Sequence, residues 1–205
     1  PEEIIQFDID ILEEALLALT FAVRRGRRVH LVLQLHFETA GSRAGREQIR
    51  QVLEFVPMPL RDLISFNLAQ VPPGIPAARL QEMIGFLRSF GAHLSVDLEP
   101  DLTFDDYARL AELFAQAGLH FISYRLPRSP AEADIRKACH AIREAKRHQL
   151  SGAIRNVSDA DHLPALTEAG YEYLAGAGVG DTFEFLPAPY RQKSGPEIIR
   201  LPLEL

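Results

Sequence analysis

The sequence predicts an α/β fold, a (β/α) TIM-like barrel, and three observations indicate it. Short strand-like runs alternate with longer stretches of helical periodicity, which is typical of parallel sheets. A helix–glycine–strand joint recurs in the segments "SFGAHLSV", "QAGLHFIS" and "EAGYEYLA". The strands also alternate apolar with polar residues, whereas strands covered by helices on both faces are almost continuously apolar. We therefore expect one face of the strands to pack on helices and the other to line a polar barrel interior.

The N-terminal part of the chain predicts two helix–strand units. Apolar residues at intervals of three and four predict a helix over 9–25, and the alternating run "VHLVLQLHF" predicts a strand over 29–37. The same two patterns predict a helix over 46–55 and a strand, "LISFNLA", over 63–69.

The rest of the chain predicts four more units by the same criteria. Their helices cover 77–90, 104–117, 130–148 and 159–169, and their strands cover 93–99, 120–126, 151–157 and 171–177. Gly91, Gly118 and Gly170 each follow a helix, where a left-handed residue commonly ends it. Ser129 and Pro130 are expected to begin the fifth helix. Six strands are fewer than the roughly eight of a complete barrel, so we expect the missing strands to precede Pro1.

Composition favours one globular domain. The chain has 205 residues and a net charge of −6, which argues against sequence-independent nucleic-acid binding. No apolar run approaches the roughly 18 residues of a membrane span. The single cysteine cannot form an internal disulfide, so we expect a cytoplasmic protein. The expected organisation is a barrel domain over 1–190 and a C-terminal tail over 191–205.

Polar residues of the strands are the candidates for a functional site. On the predicted interior face they are His30, Gln34, His36, Ser65, Asn67, Ser95, Asp97, Glu99, Ser123, Arg125 and Arg155. A structural ion-pair network of the two carboxylates with the two arginines is the favoured interpretation, because buried charges need partners. The alternatives are anion binding by Arg125 and Arg155, or metal binding by His36, Asp97 and Glu99 as a mixed nitrogen and oxygen set. The loop "AGAGVGD" (175–181) is interpreted as a flexible turn in preference to a phosphate-binding loop.

The order of these segments resembles that of EAL domains, the bacterial phosphodiesterases of cyclic di-GMP. "LISFNLAQ" corresponds to the family's "LEITE" strand, "LRSFGAHLSVDLEPD" to "L…G..IALDDFG", and "GLHFISYRL" to "D.IKID". The segment from "LSGAIRNVSDADHL" to "FEFLPAP" is similar to "VIAEGVET.EQ…L…G.D..QGY.F..P". The "EAL" strand itself, which supplies a metal ligand in the family, lies outside this chain. The resemblance implies a (β/α) barrel of the EAL type that is incomplete at its N-terminus.

The family's catalytic positions are mostly replaced here. The resemblance places Gln34 at the ligand Asn, and it places Asn67 and Gln70 at the two Glu of the "EITE" strand. Asp97 retains the first Asp of "DDFG", and Leu98 replaces the second. In the remaining units Ser123 stands at the catalytic Lys, Arg155 at the Glu of "AEGVE" and Ala175 at the late Gln.

These replacements imply a degenerate, catalytically inactive EAL domain without a cofactor or a bound metal. We expect a regulatory or protein-interaction module of a bacterial signalling protein, with a protein partner or a homodimer. The alternatives are a cyclic di-GMP receptor that does not hydrolyse its ligand, and a different TIM-barrel enzyme using His36, Asp97 and Glu99. We also expect the open barrel edge to be covered by residues 1–10, by the tail 197–205, or by a second copy.

Overall fold

The computed structural model describes residues 2–27, 29–91 and 93–180. The contacts between residues divide the chain into two compact units, 1–96 and 97–205. The division falls inside the third strand, so each unit is described by itself. The predicted tail 191–205 and the end of the predicted barrel domain, 181–190, lie outside the described residues. The division into a barrel domain and a tail therefore stays a prediction.

The first unit alternates helices with parallel strands. Its elements are α1 (Glu2–Arg24), β1 (Leu31–His36), α2 (Phe37–Gly41), α3 (Arg43–Glu54), α4 (Met58–Arg61), β2 (Ile64–Ala69), α5 (Ala77–Arg88) and the first part of β3 (His93–Leu98). β2 pairs in parallel with both β1 and β3, and all six of its residues are buried. The core of this unit consists of the buried apolar residues of β2 together with those of α1, α3 and α5.

The second unit continues the same alternation. It contains the end of β3, α6 (Phe104–Gln116), β4 (Phe121–Arg125), α7 (Glu132–Arg147), β5 (Ser151–Arg155), a 3-10 turn (Ala160–His162), α8 (Leu163–Ala169) and β6 (Tyr173–Leu174). β5 pairs in parallel with β4 and β6. Thr103 and Asp106 begin α6 with reciprocal side-chain hydrogen bonds to each other's backbone N–H, which fixes the start of that helix.

A pair of buried tyrosines joins α6 to β4 inside the second unit. The Tyr107 hydroxyl donates to the carbonyl of Glu99 at 2.9 Å and lies 3.3 Å from the hydroxyl of Tyr124. Burial raises the pKa of Tyr107 to about 12, so the phenol stays protonated and remains a donor. This contact fixes the chain just after β3, at Glu99 of the predicted site.

The alternation of helices and parallel strands confirms the predicted α/β fold class, and several boundaries differ from the prediction. α1 begins at Glu2, seven residues before the predicted start, and the short helices α2 and α4 are not evident in the sequence pattern. α7 begins at Glu132, so the predicted start at Pro130 is wrong. The Asp134 carboxylate accepts the N–H of Ala131, which closes the first turn there instead. None of the described helices has both the length and the apolar character required to cross a bilayer.

The predicted left-handed glycines divide into two kinds. Gly118 and Gly170 have φ angles of 80° and 115°, which confirms their predicted role at the ends of α6 and α8. Gly91 does not have a positive φ, so its predicted role is wrong. A Cβ atom at Gly91 would lie 2.8 Å from the Phe66 ring and 2.9 Å from the carbonyl oxygen of Ile64. Close packing of the chain on β2 is therefore the reason for glycine at that position.

Candidate functional site

In the first unit, three polar side chains lie in one row across the strands. Gln34 of β1 is in register with Asn67 of β2, and Asn67 is in register with Ser95 of β3. The Ser95 hydroxyl donates to the Asn67 side-chain oxygen at 2.7 Å, and both residues are buried. The sequence placed these residues on one polar face, and their register is consistent with that. The row carries amides and a hydroxyl, so it is polar and uncharged.

In the second unit, Asp97 is held by two arginines. The Arg155 guanidinium donates to Asp97 Oδ2, and Arg125 reaches the same oxygen at 3.5 Å. Arg155 Nε also donates to the Ser123 hydroxyl at 3.1 Å. The Asp97 side chain is only 3% exposed, whereas the side chains of Arg155 and Arg125 are 16% and 35% exposed. This confirms the prediction that Asp97 lies within hydrogen-bonding reach of Arg155 or Arg125.

Register explains why the carboxylate is needed at this place. Arg125 of β4 and Arg155 of β5 are direct neighbours across the parallel pair, so two like charges project from adjacent strands. Like charges directly opposite each other destabilise a sheet. Asp97 offsets that repulsion, and the arginines in turn stabilise the buried carboxylate. The three side chains therefore form one electrostatic unit.

Glu99 does not join the described ion pairs. The predicted network has two carboxylates facing two arginines, but within residues 93–180 the Glu99 carboxylate forms no salt bridge. The described contact of Glu99 is its backbone carbonyl, which accepts the Tyr107 hydroxyl. The predicted balance of two carboxylates and two arginines is therefore wrong in this detail.

The metal set His36, Asp97 and Glu99 receives no support from the described residues. Nowhere in the described ranges do three or more His, Cys, Asp or Glu side chains come together as metal ligands would. The Asp97 carboxylate faces guanidinium groups, which repel a divalent cation. His36 is engaged elsewhere, by a residue of α1.

The residue of α1 that contacts His36 is Asp8, which is 2% exposed and was not among the predicted site residues. Asp8 Oδ2 accepts the backbone N–H of His36 at 2.9 Å, and Asp8 Oδ1 lies 2.7 Å from His36 Nδ1. The bidentate contact fixes the end of β1 at the point where α2 begins. A signal was present, because Asp8 lies among Ile5, Ile9 and Leu12 on the buried side of α1. An acidic residue on an apolar helix face requires a buried partner.

At the N-terminal ends of the strands in the first unit lies a second polar group. His30 Nε2 is 2.6 Å from the Ser65 hydroxyl, and the His30 and His93 rings are 5.8 Å apart. Partial burial, and then the neighbouring His93 imidazole, lower the pKa of His30 below its usual range. The lowered pKa of His30 favours its neutral form. This end of a (β/α) barrel usually serves stability, whereas active sites lie at the C-terminal ends of the strands.

The glycine loop after β6 has a packing role that the sequence analysis did not predict. Gly176 has a φ of 140°, and a Cβ atom there would overlap the backbone of Val157. A Cβ atom at Gly178 would lie 2.7 Å from the backbone of Asp159. The Gly178 N–H donates to the Val157 carbonyl at 2.8 Å. Residues 177–179 form a turn, as interpreted from the sequence, and its glycines allow close backbone-to-backbone packing, whereas Asp181 lies outside the described residues.

Comparison with solved structures shows an EAL-like fold. The FimX EAL domain of Xanthomonas citri, solved in complex with c-diGMP, matches 89% of this chain and 73% of its own at 15% identity, with a TM-score of 0.65. The S helix–GGDEF–EAL structure of Vibrio cholerae LapD matches 80% of this chain and 39% of its own at 13% identity, with a TM-score of 0.60. A racemase from Streptomyces coelicolor A3(2) with bound magnesium matches 74% of this chain and 40% of its own at 19% identity, with a TM-score of 0.51.

These likenesses establish the fold alone. Within the described residues, six strands alternate with helices, and this arrangement together with the two EAL neighbours is consistent with a TIM-like barrel fold. No protein-family profile matches the sequence. No curated protein matches it either.

Proposed function

We propose that this chain is a catalytically inactive EAL-like domain that serves as a regulatory or protein-interaction module of a bacterial signalling protein in the cytoplasm. The observation that carries the proposal is the ion pair of Asp97 with Arg155. Under the EAL resemblance, Asp97 is the retained ligand carboxylate, and Arg155 stands where the family has a glutamate. The retained ligand is thus engaged by a cation supplied by the chain itself.

Charge explains why hydrolysis would be lost. Two-metal hydrolysis needs several anionic ligands that hold two cations about 3.5–4 Å apart around an activated water. In the first unit, the corresponding row contains the neutral side chains Gln34 and Asn67. In the second unit, Ser123 occupies the position of the family's catalytic lysine. A neutral hydroxyl there supplies no positive charge to a reacting phosphate. Instead, the Ser123 hydroxyl accepts a hydrogen bond from Arg155.

A second candidate function is a cyclic di-GMP receptor that does not hydrolyse its ligand. The FimX EAL domain was solved with c-diGMP bound, which favours this candidate. Arg125 and Arg155 are neighbours in register and would be the cations that face a ligand phosphate. Binding there would compete with Asp97 for the same guanidinium groups. We favour the interaction module because this competition weakens any phosphate contact.

Two measurements on the purified chain distinguish the candidates. The first is cyclic di-GMP hydrolysis followed by chromatography with Mg²⁺ or Mn²⁺, and the second is calorimetric titration with cyclic di-GMP with and without Mg²⁺. We expect no hydrolysis and no heat of binding for the interaction module.

Binding without hydrolysis, abolished by Arg155→Ala and unchanged by the surface variant Arg109→Ala, would support the receptor instead. Arg109 is a matched control because its side chain is 64% exposed and pairs with Asp106 on the same helix. Metal-dependent hydrolysis would overturn both candidates.

A further inference from the structure

Helix α1 is apolar on two opposite sides. Its inner side packs into the first unit through Ile5, Ile9, Leu12, Leu19 and Ala22, all of them buried. At 3.6 residues per turn, a second set of large apolar residues lies on the outer side. Phe7, Leu17 and Phe21 belong to this set and are 56%, 59% and 51% exposed. A surface helix normally carries mainly polar residues there. On α1 the three large apolar residues share the outer side with Glu3, Asp10 and Glu14, which favours a contact surface of mixed character.

Charge is distributed unevenly along the same helix. Between residues 2 and 23 the charged residues are all acidic, namely Glu2, Glu3, Asp8, Asp10, Glu13 and Glu14. The basic residues begin at Arg24 and continue with Arg25 and Arg27. The first half of α1 is therefore negative and its C-terminal end is positive. Two such helices attract each other when they lie antiparallel, and repel each other when they lie parallel.

We propose that the outer side of α1 binds the same surface of a second copy of this chain, as an antiparallel helix pair around a two-fold axis at Glu14. In that register Phe7 faces Phe21 of the second copy. Glu3 faces Arg25 of the second copy at each end, and both residues are exposed. A single register thus matches the apolar residues and the opposite charges together, as a two-fold interface requires.

The expected dimer is weak. Aromatic and leucine side chains that are about half exposed each offer on the order of 100 Å² of apolar surface for burial. This places the interface at the small end of specific protein contacts, so we expect a dissociation constant in the micromolar range. One pair is unfavourable, because Glu14 meets its own copy at the axis. The proposed inactivity of the domain plays no part in this inference.

Charge reversal tests the register by sedimentation equilibrium of the whole chain. Glu3→Arg and Arg25→Glu should each weaken the dimer about tenfold, because each creates two like-charge contacts. The double variant E3R/R25E should restore the affinity to within about threefold of wild type. Within one copy the two residues are about 33 Å apart along the helix, so rescue has to act between copies. Absence of rescue would refute the antiparallel register.

A cysteine at the axis gives an independent readout. Glu14→Cys should form a disulfide-linked dimer under mild oxidation, since the axis residue meets itself, whereas Glu13→Cys, one residue away on another side of the helix, should not. The native Cys139 is buried and contributes little background. Phe21→Glu should abolish the dimer, and Met58→Glu, at an apolar residue that is 68% exposed in α4, should leave it unchanged.

Circular dichroism tests whether each variant is folded. If F21E does not fold, the charge-reversal variants of Glu3 and Arg25, which are exposed residues, test the proposal instead. A wild-type chain that stays monomeric at several hundred micromolar would overturn the proposal, and so would equal cross-linking of the two cysteine variants.

Discussion

Replacing Arg155 by alanine should destabilise the chain by about 3 kcal/mol. Asp97 is 3% exposed, and removing one partner of a buried ion pair costs about 3–5 kcal/mol because the other charge stays buried. Arg125 remains near Asp97 at 3.5 Å and compensates part of that cost. Loss of the hydrogen bond to Ser123 adds about 1 kcal/mol. The measurement is urea unfolding followed by circular dichroism, with the free energy of unfolding extrapolated to water.

The double variant D97N/R155M provides the decisive comparison. It removes the buried carboxylate together with its main partner, so no unpaired charge is left at 97, and we expect a loss of only about 1 kcal/mol. Arg125→Ala is the matched control. Its longer contact and its 35% exposed side chain predict a cost of less than about 1 kcal/mol. If R155A costs no more than D97N/R155M, the electrostatic argument for this cluster is refuted.

Three further predictions concern other described features. Asp8→Ala should cost about 1–3 kcal/mol in urea unfolding because it leaves two partly buried groups of His36 unpaired, whereas Asp8→Asn keeps an acceptor and should cost less than about 1 kcal/mol. Equal costs would exclude a hydrogen-bond role. Since the pKa of His30 is lowered in the folded chain, the unfolded chain binds more protons below about pH 6.5, and stability should fall as the pH is lowered through that value. His30→Asn should flatten this dependence in thermal melts at pH 5 to 8, and an unchanged slope would assign the effect to other groups. Gly176→Ala should destabilise the fold by about 3 kcal/mol or more, because Gly176 has a positive φ and lies against the Val157 backbone. The control Gly85→Ala, in open space within α5, should stabilise the fold by about 0.5–1 kcal/mol. Equal melting temperatures of the two variants would contradict the packing argument.

Periodicity predicted the strands well because each strand presents one buried apolar face. Strands β1 to β5 begin and end within two residues of their predicted limits. The helices α2 and α4 have only five and four residues, which is too short to show a helical period. β6 is shorter than predicted because the chain at Ala175 leaves the strand for the close contact between Gly176 and Val157.

The candidate site could be predicted as a set of polar side chains, but the pairing within it could only be predicted in part. Alternation identified Asp97, Arg125 and Arg155 as neighbours, and charge balance predicted that they would pair. Linear sequence does not give the distance between strands, so it did not distinguish Asp97 from Glu99 as the partner of the arginines. The same limitation concealed Asp8, whose partner lies 28 residues away on another element.

The Asp97–Arg155 contact also restricts how this gene can change over generations. A substitution at 97 alone leaves two neighbouring arginines without their shared counter-ion, and a substitution at 155 alone leaves a carboxylate buried beside a weaker partner. Either intermediate carries a fitness cost if the chain has only the usual narrow margin of stability. Descendants of this sequence should therefore exchange the two residues in tandem or retain both, because either single substitution passes through a less stable intermediate.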